Sequence, residues 1–125
     1  MDYLWVGLGG FLGANARYAL SVWVVDRLGV SFPWHTLLIN VSGSLAIGLI
    51  MAVLSEKLVV DSTWRLLLVV GFLGGYTTFS AYTIETLALL AEGEWLRALG
   101  YVLGSNGLGL LAVYLGMAAG HAVGR

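Results

Sequence analysis

Between Gly71 and Glu85 the chain reads GFLGGYTTFSAYTIE, an apolar segment crowded with glycine, hydroxyls and one acid. Inside hydrocarbon such groups belong where a helix unwinds, meets another helix closely, or lines a polar path for water or ions. A break there frees carbonyl oxygens and helix ends, which are ready ligands for small ions. Other polar groups stand inside apolar runs. Arg17, just after Asn15, belongs at a bundle interior or a watery cavity, a reading favoured over snorkelling to the surface. Asn40 must face protein, water or a ligand, and interhelical glue and ion ligand are equally open to it. Tyr101, Ser105 and Gly109 follow at i, i+4 steps beside Asn106, forming a polar stripe. Glu85 lies about 12 Å past the middle of its segment, near the interface, where reaching for headgroups competes with an ion-path role. Phe79 and Tyr82, at i, i+3, share a helix surface, as ordinary packing alone would explain. No acid pair, nucleophile with base, or metal cluster is visible, so an enzyme is disfavoured. His35 and His121 sit near helix ends with no carboxylate cluster beside them, which argues against metal ligation.

The elements that position these residues follow from composition. The chain has 125 residues, 59% hydrophobic and 10% charged, with a mean hydropathy of +0.90; soluble domains carry about 25% charged residues. An all-α integral membrane protein is expected, with four crossings of about 20 residues or more: about 3–25, 33–55, 64–91 and 95–122, a single domain over 1–125. The third run exceeds one crossing and has the glycine–threonine cluster near its middle, so a broken helix is expected. Pro33 suits the first turn of the second helix. Gly9, Gly13, Gly48, Gly100, Gly104, Gly116 and Gly120 read as close-packing positions. Trp5, Trp23, Trp34, Trp64 and Trp95 fall near predicted ends, as an aromatic belt requires. Cysteine is absent, so no disulfide framework exists, and Met1-Asp2 lacks the basic region of a cleavable signal. Gly7 to Gly13 lacks the strand-then-helix context of a dinucleotide site, and the sequon Asn40-Val41-Ser42 lies inside a span. The net charge of −1 argues against a nucleic-acid partner.

Four crossings place both termini and the loop after the second helix on one side. Lys57, Arg65 and Arg125 then oppose Arg27 and Arg97, a bias of three against two that barely specifies orientation. Dual insertion is therefore expected, and polar residues in every helix suggest that chains assemble, best as an antiparallel pair.

On these residues the sequence resembles the Fluc/CrcB family of fluoride ion channels over essentially its whole length. Gly9-Gly10-Phe11-Leu12-Gly13-Ala14-Asn15-Ala16-Arg17-Tyr18 is similar to its first-helix signature, and Pro33 to Asn40 with Gly43-Ser44 to its second. Gly71 to Ser80 is similar to its third and strongest. The resemblance implies a dual-topology antiparallel homodimer in the cell inner membrane, with two fluoride pores. It also implies a structural Na+ held at the dimer interface by main-chain carbonyls of Gly74 and Thr77. Pore roles are implied for Phe79, Tyr82, Asn40, Ser80, Tyr101, Ser105 and Glu85, and a vestibule role for Arg17. Physical chemistry agrees, because a small, strongly hydrated anion must exchange water for amide, hydroxyl and ring-edge donors.

Three positions depart from the family pattern: Tyr82 replaces a phenylalanine, Ala81 a threonine and Gly109 a serine. Tyr82 keeps a ring edge and adds a donor. A heterodimer, in which each partner degrades one pore, stays open. The expected function is passive fluoride export that lowers cytoplasmic fluoride. The alternative, a proton-coupled cation exporter of the small multidrug-resistance type, needs a deep carboxylate in the first helix, where this chain has Asn15 and Arg17. A non-transporting scaffold would use the glycines and hydroxyls for packing alone.

Overall fold

The computed structural model describes residues 1–56 and 61–124; Lys57 and Arg125, two of the charges weighed for orientation, lie outside the described residues. All regular structure among the described residues is helical.

Helix α1 (Asp2–Leu28) ends at Gly29, whose φ of 77° admits the turn while its N–H donates to the Val25 carbonyl at 2.8 Å. Only glycine adopts that conformation without steric cost. Arg27 in the last turn lies 4.4 Å above the Trp23 ring. Helix α2 (Trp34–Glu56) begins one residue later than expected. Pro33 caps it from outside, its carbonyl accepting from the Leu37 N–H at 3.2 Å, so the missing proline N–H removes no helical bond.

The third run is broken, as expected, and its irregularity begins earlier than the glycines. Asp61 caps a short turn α3 (Ser62–Trp64) by accepting from the Thr63 N–H at 3.0 Å. That bond holds the exposed Asp61 carboxyl below its ordinary range. A nine-residue π-helical segment, Arg65–Leu73, follows, then a turn α4 (Gly74–Tyr76). Thr77 and Thr78 are extended, and α5 (Phe79–Ala91) resumes. Periodicity of apolar residues did not foretell the wide turns. Runs of this kind are rare and tend to occur at functional sites. After a glycine turn at Gly93, α6 (Trp95–Gly124) completes the chain.

Two tight helix pairs hold the molecule. Helix α2 packs along α6, and α1 packs along the π-helical segment. A Cβ built on Gly48 would lie 3.0 Å from the Met117 nitrogen, and one on Gly71 would lie 2.8 Å from the Val6 carbonyl oxygen. Backbones this close leave no room for a side chain, which is how helices associate where lipid removes the hydrophobic drive. Gly100 and Gly104 behave otherwise. Among the described residues nothing lies within 4 Å of a Cβ at either, so the expectation that both serve packing fails there. A small core of Leu37, Leu89, Ala98 and Tyr101, flanked by Phe32 and Tyr82, ties α5 to the α2–α6 pair.

Among the described residues, three helices are long and apolar enough to cross a membrane: Trp34–Ser55, Ser62–Ala91 and Trp95–Val123. Helix α1, at 27 residues, is about 40 Å long. It is not among the three, since Asn15 and Arg17 dilute its apolar run. Large apolar side chains such as Leu103, Leu110 and Tyr114 face outward.

Candidate functional site

The break is fastened by one side chain. The Asn40 amide donates to the Thr78 carbonyl at 3.0 Å, and its oxygen accepts from the Thr78 N–H at 2.9 Å. The Thr78 hydroxyl caps α5, accepting from the Ala81 N–H at 3.2 Å. In an uninterrupted α-helix those N–H groups would serve the carbonyls of Gly74 and Thr77. Both carbonyls thus lose their α-helical donors at the same point of the chain. Arg17 reaches this place too, its Nε donating to the Gly75 carbonyl at 3.1 Å. Beside the break opens a concavity of about 380 Å³ lined by Asn40, Ser44, Gly74, Thr77, Thr78 and Phe79, among others.

A second cluster forms one helix layer away. Glu85 accepts from the Tyr101 hydroxyl at 2.8 Å on one oxygen and from the Thr36 hydroxyl at 2.9 Å on the other. His35 Nε2 lies 3.0 Å from that second oxygen. The carboxylate therefore turns inward instead of reaching for headgroups, and His35 meets this one carboxylate, a pair that spacing along the chain did not show. Hydroxyls and imidazole supply the partners that a partly buried carboxylate needs.

A ladder of rings links the two places. Phe79 and Tyr82 stand 5.7 Å apart between centroids, Tyr82 and Tyr101 5.2 Å, and Tyr101 and Phe32 5.5 Å. Asn106 donates to the Tyr82 hydroxyl at 3.1 Å and fixes that ring. The Ser105 hydroxyl, one turn from Tyr101, is buried with no hydrogen-bond partner. Phe79 is 76% exposed, and Ser80 is also exposed, its hydroxyl 3.3 Å from that of Thr78.

The residues singled out from sequence thus fall into two groups. Tyr82, Tyr101 and Glu85 are in contact, with Phe79 joining through its ring and Ser105 one turn along. Asn40, Gly74 and Thr77 meet at the break, where Arg17 also arrives, whereas Ser80 stays at the surface. Sequence reasoning missed Thr36, His35 and Asn106 as partners. Thr36 carried a signal, being four residues before Asn40 and so on its helix face.

Fold and site together define a helical membrane protein with an interrupted helix, where polar side chains and unwound backbone gather inside apolar surroundings. The chain belongs to the CrcB family: the description "CrcB-like protein, Camphor Resistance (CrcB)" matches residues 4–117. A protein of Acidobacterium capsulatum called fluoride-specific ion channel FluC is 47% identical over 123 residues, covering 98% of both chains. The protein of that name from Solibacter usitatus is 51% identical over 116 residues, 93% of this chain and 95% of its own. The one from Thermus thermophilus is 50% identical over 121 residues, 97% and 94% respectively.

Proposed function

We propose that this chain is a fluoride-selective channel that lets fluoride leave the cytoplasm passively across the inner membrane. The observation that carries the reading is the buried, unpartnered Ser105 hydroxyl, one helical turn from Tyr101 on α6. A buried donor left unmade costs about 1–3 kcal/mol, and an anion that has shed water offers the missing acceptor. Asn40 adds to the donor set, because fastening Thr78 uses one amide hydrogen and leaves the second. Ring edges of Phe79 and Tyr82 and the Ser80 hydroxyl complete it, and Arg17 attracts the ion towards the vestibule. The relatives named as fluoride-specific channels, aligned over nearly the whole chain, support the same reading.

The working unit is an antiparallel homodimer in which α1 is the fourth crossing. The exposed ring of Phe79 and the open concavity at the break supply surface for a second copy to cover. Gly74 and Thr77 carbonyls, robbed of their helical donors, fit a structural sodium shared between the copies. Bound there, its charge offsets unwound carbonyls meeting at the interface.

Proteoliposomes loaded with fluoride or chloride, with the membrane potential shorted, test the channel reading through an ion-selective electrode. Rapid fluoride efflux without chloride efflux is expected, as is its loss in Phe79→Ile, read on protein that still elutes as the wild-type dimer. Equal passage of chloride, or no fluoride efflux from a folded dimer, would sink the proposal.

A further inference from the structure

We infer that His35 sets the charge of the fluoride path at Glu85, so that fluoride flow rises as pH falls. The inference rests on the channel reading above. A carboxylate beside an anion path repels the ion unless its charge is offset. Tyr101 and Thr36 hold Glu85 by neutral hydroxyls and leave that charge in place. The imidazole at 3.0 Å is the basic group that touches it.

Other charged and titratable groups surround the pair, among them Tyr82, whose ring packs on Tyr101 and whose hydroxyl accepts from Asn106. From α5, Glu92 joins Glu85 and His35 in lining a concavity of about 390 Å³, adding negative charge. From α6 come Tyr101, and Arg97, which donates to the Ser31 carbonyl at 3.2 Å and lies 3.7 Å from Glu94. Helix α1 ends in exposed Asp26 and Arg27, the latter over Trp23. Arg17 is engaged at Gly75.

Histidine changes charge between about pH 5 and 8. With Nε2–H directed at Glu85, the neutral ring leaves Nδ1 as an acceptor, and that atom is buried with no partner. A proton gained at Nδ1 gives the ring a full positive charge. The Glu85–His35 pair then becomes neutral overall. Above that transition the pair is negative and opposes fluoride.

Initial fluoride efflux should be recorded at matched internal and external pH between 6 and 8, with leak from protein-free liposomes subtracted. Wild-type flux should rise on acidification on the order of threefold to tenfold, the scale of one screened charge near the path. His35→Gln, which keeps an N–H donor but cannot titrate, should flatten the profile at the slow rate. His35→Lys should flatten it at the fast rate. A second neutral variant, His35→Ala, guards against a folding defect particular to glutamine. Wild-type flux independent of pH, or a slope that persists in folded His35→Gln or His35→Ala, overturns the inference while leaving the channel reading intact. Absence of fluoride flux at every pH overturns both.

Discussion

Glu85 shows how a residue's role depends on what reaches it. Three side chains from two other helices converge on its carboxylate, so its position near a segment end does not make it a surface acid. Tyr101→Phe removes the donor on one oxygen, and hydrogen bonds to charged groups are worth about 1.5–3 kcal/mol. Because the same hydroxyl is also proposed as a donor lining the fluoride path, we expect efflux to fall by about tenfold in that variant, read by electrode on protein of unchanged oligomeric state. An unaltered rate would place Glu85 outside the path. The departures from the family pattern also acquire meaning at this scale. Tyr82 keeps its ring against Phe79 while Asn106 occupies its extra hydroxyl. A Cβ at Gly109 would lie 3.6 Å from the Ser44 hydroxyl oxygen, so α2 supplies a hydroxyl at the level where α6 lacks one.

Among the elements, the interrupted third helix is tied to α2 by Asn40 and packed on α1 through its own glycines. Replacing that residue by alanine leaves both the N–H and the carbonyl of Thr78 without their partner, at about 1–3 kcal/mol each. Asn40→Ala should therefore lower the thermal midpoint in detergent and abolish fluoride flux together. A variant that lost flux at full stability would show that the amide serves the ion alone. The α2–α6 pair makes a separate prediction. Gly48→Leu must displace the α6 backbone, a cost of about 1–3 kcal/mol or more, and should leave little folded protein by size-exclusion chromatography. Gly104→Ala meets nothing within its own chain and should fold normally. Its effect on dimer yield would then report whether a second copy packs there.

For the molecule as a whole, the proposed antiparallel pair rests on the weak charge asymmetry of the sequence and on the outward apolar faces. A reporter fused to the C-terminus should be found on both sides of the membrane, and appearance on one side alone would count strongly against the antiparallel pair. The proposed sodium belongs to the same scale. Reconstitution with N-methylglucamine in place of sodium should reduce the folded dimer, while equal dimer yield would remove the case for the cation.

Much of this protein was legible in its sequence. Apolar runs of sufficient length dictate helices, because in hydrocarbon every backbone group must be satisfied within its own segment. The glycine and threonine cluster located the break, since groups that weaken a helix stand out against an apolar background. Local pattern could not show that Asn40 turns its amide onto Thr78, 38 residues away, or that His35 and Thr36 meet Glu85. Those contacts join helices distant along the chain, and spacing within one helix carries no information about which face another presents. The π-helical turns between Arg65 and Leu73 were equally hidden, since their apolar residues suit a regular helix as well. The sequence alone determined that the chain is helical, where its third run breaks and which polar side chains stand inside apolar runs. Tertiary packing decided which of them share a site, because only close contact between helices turns polar residues into partners.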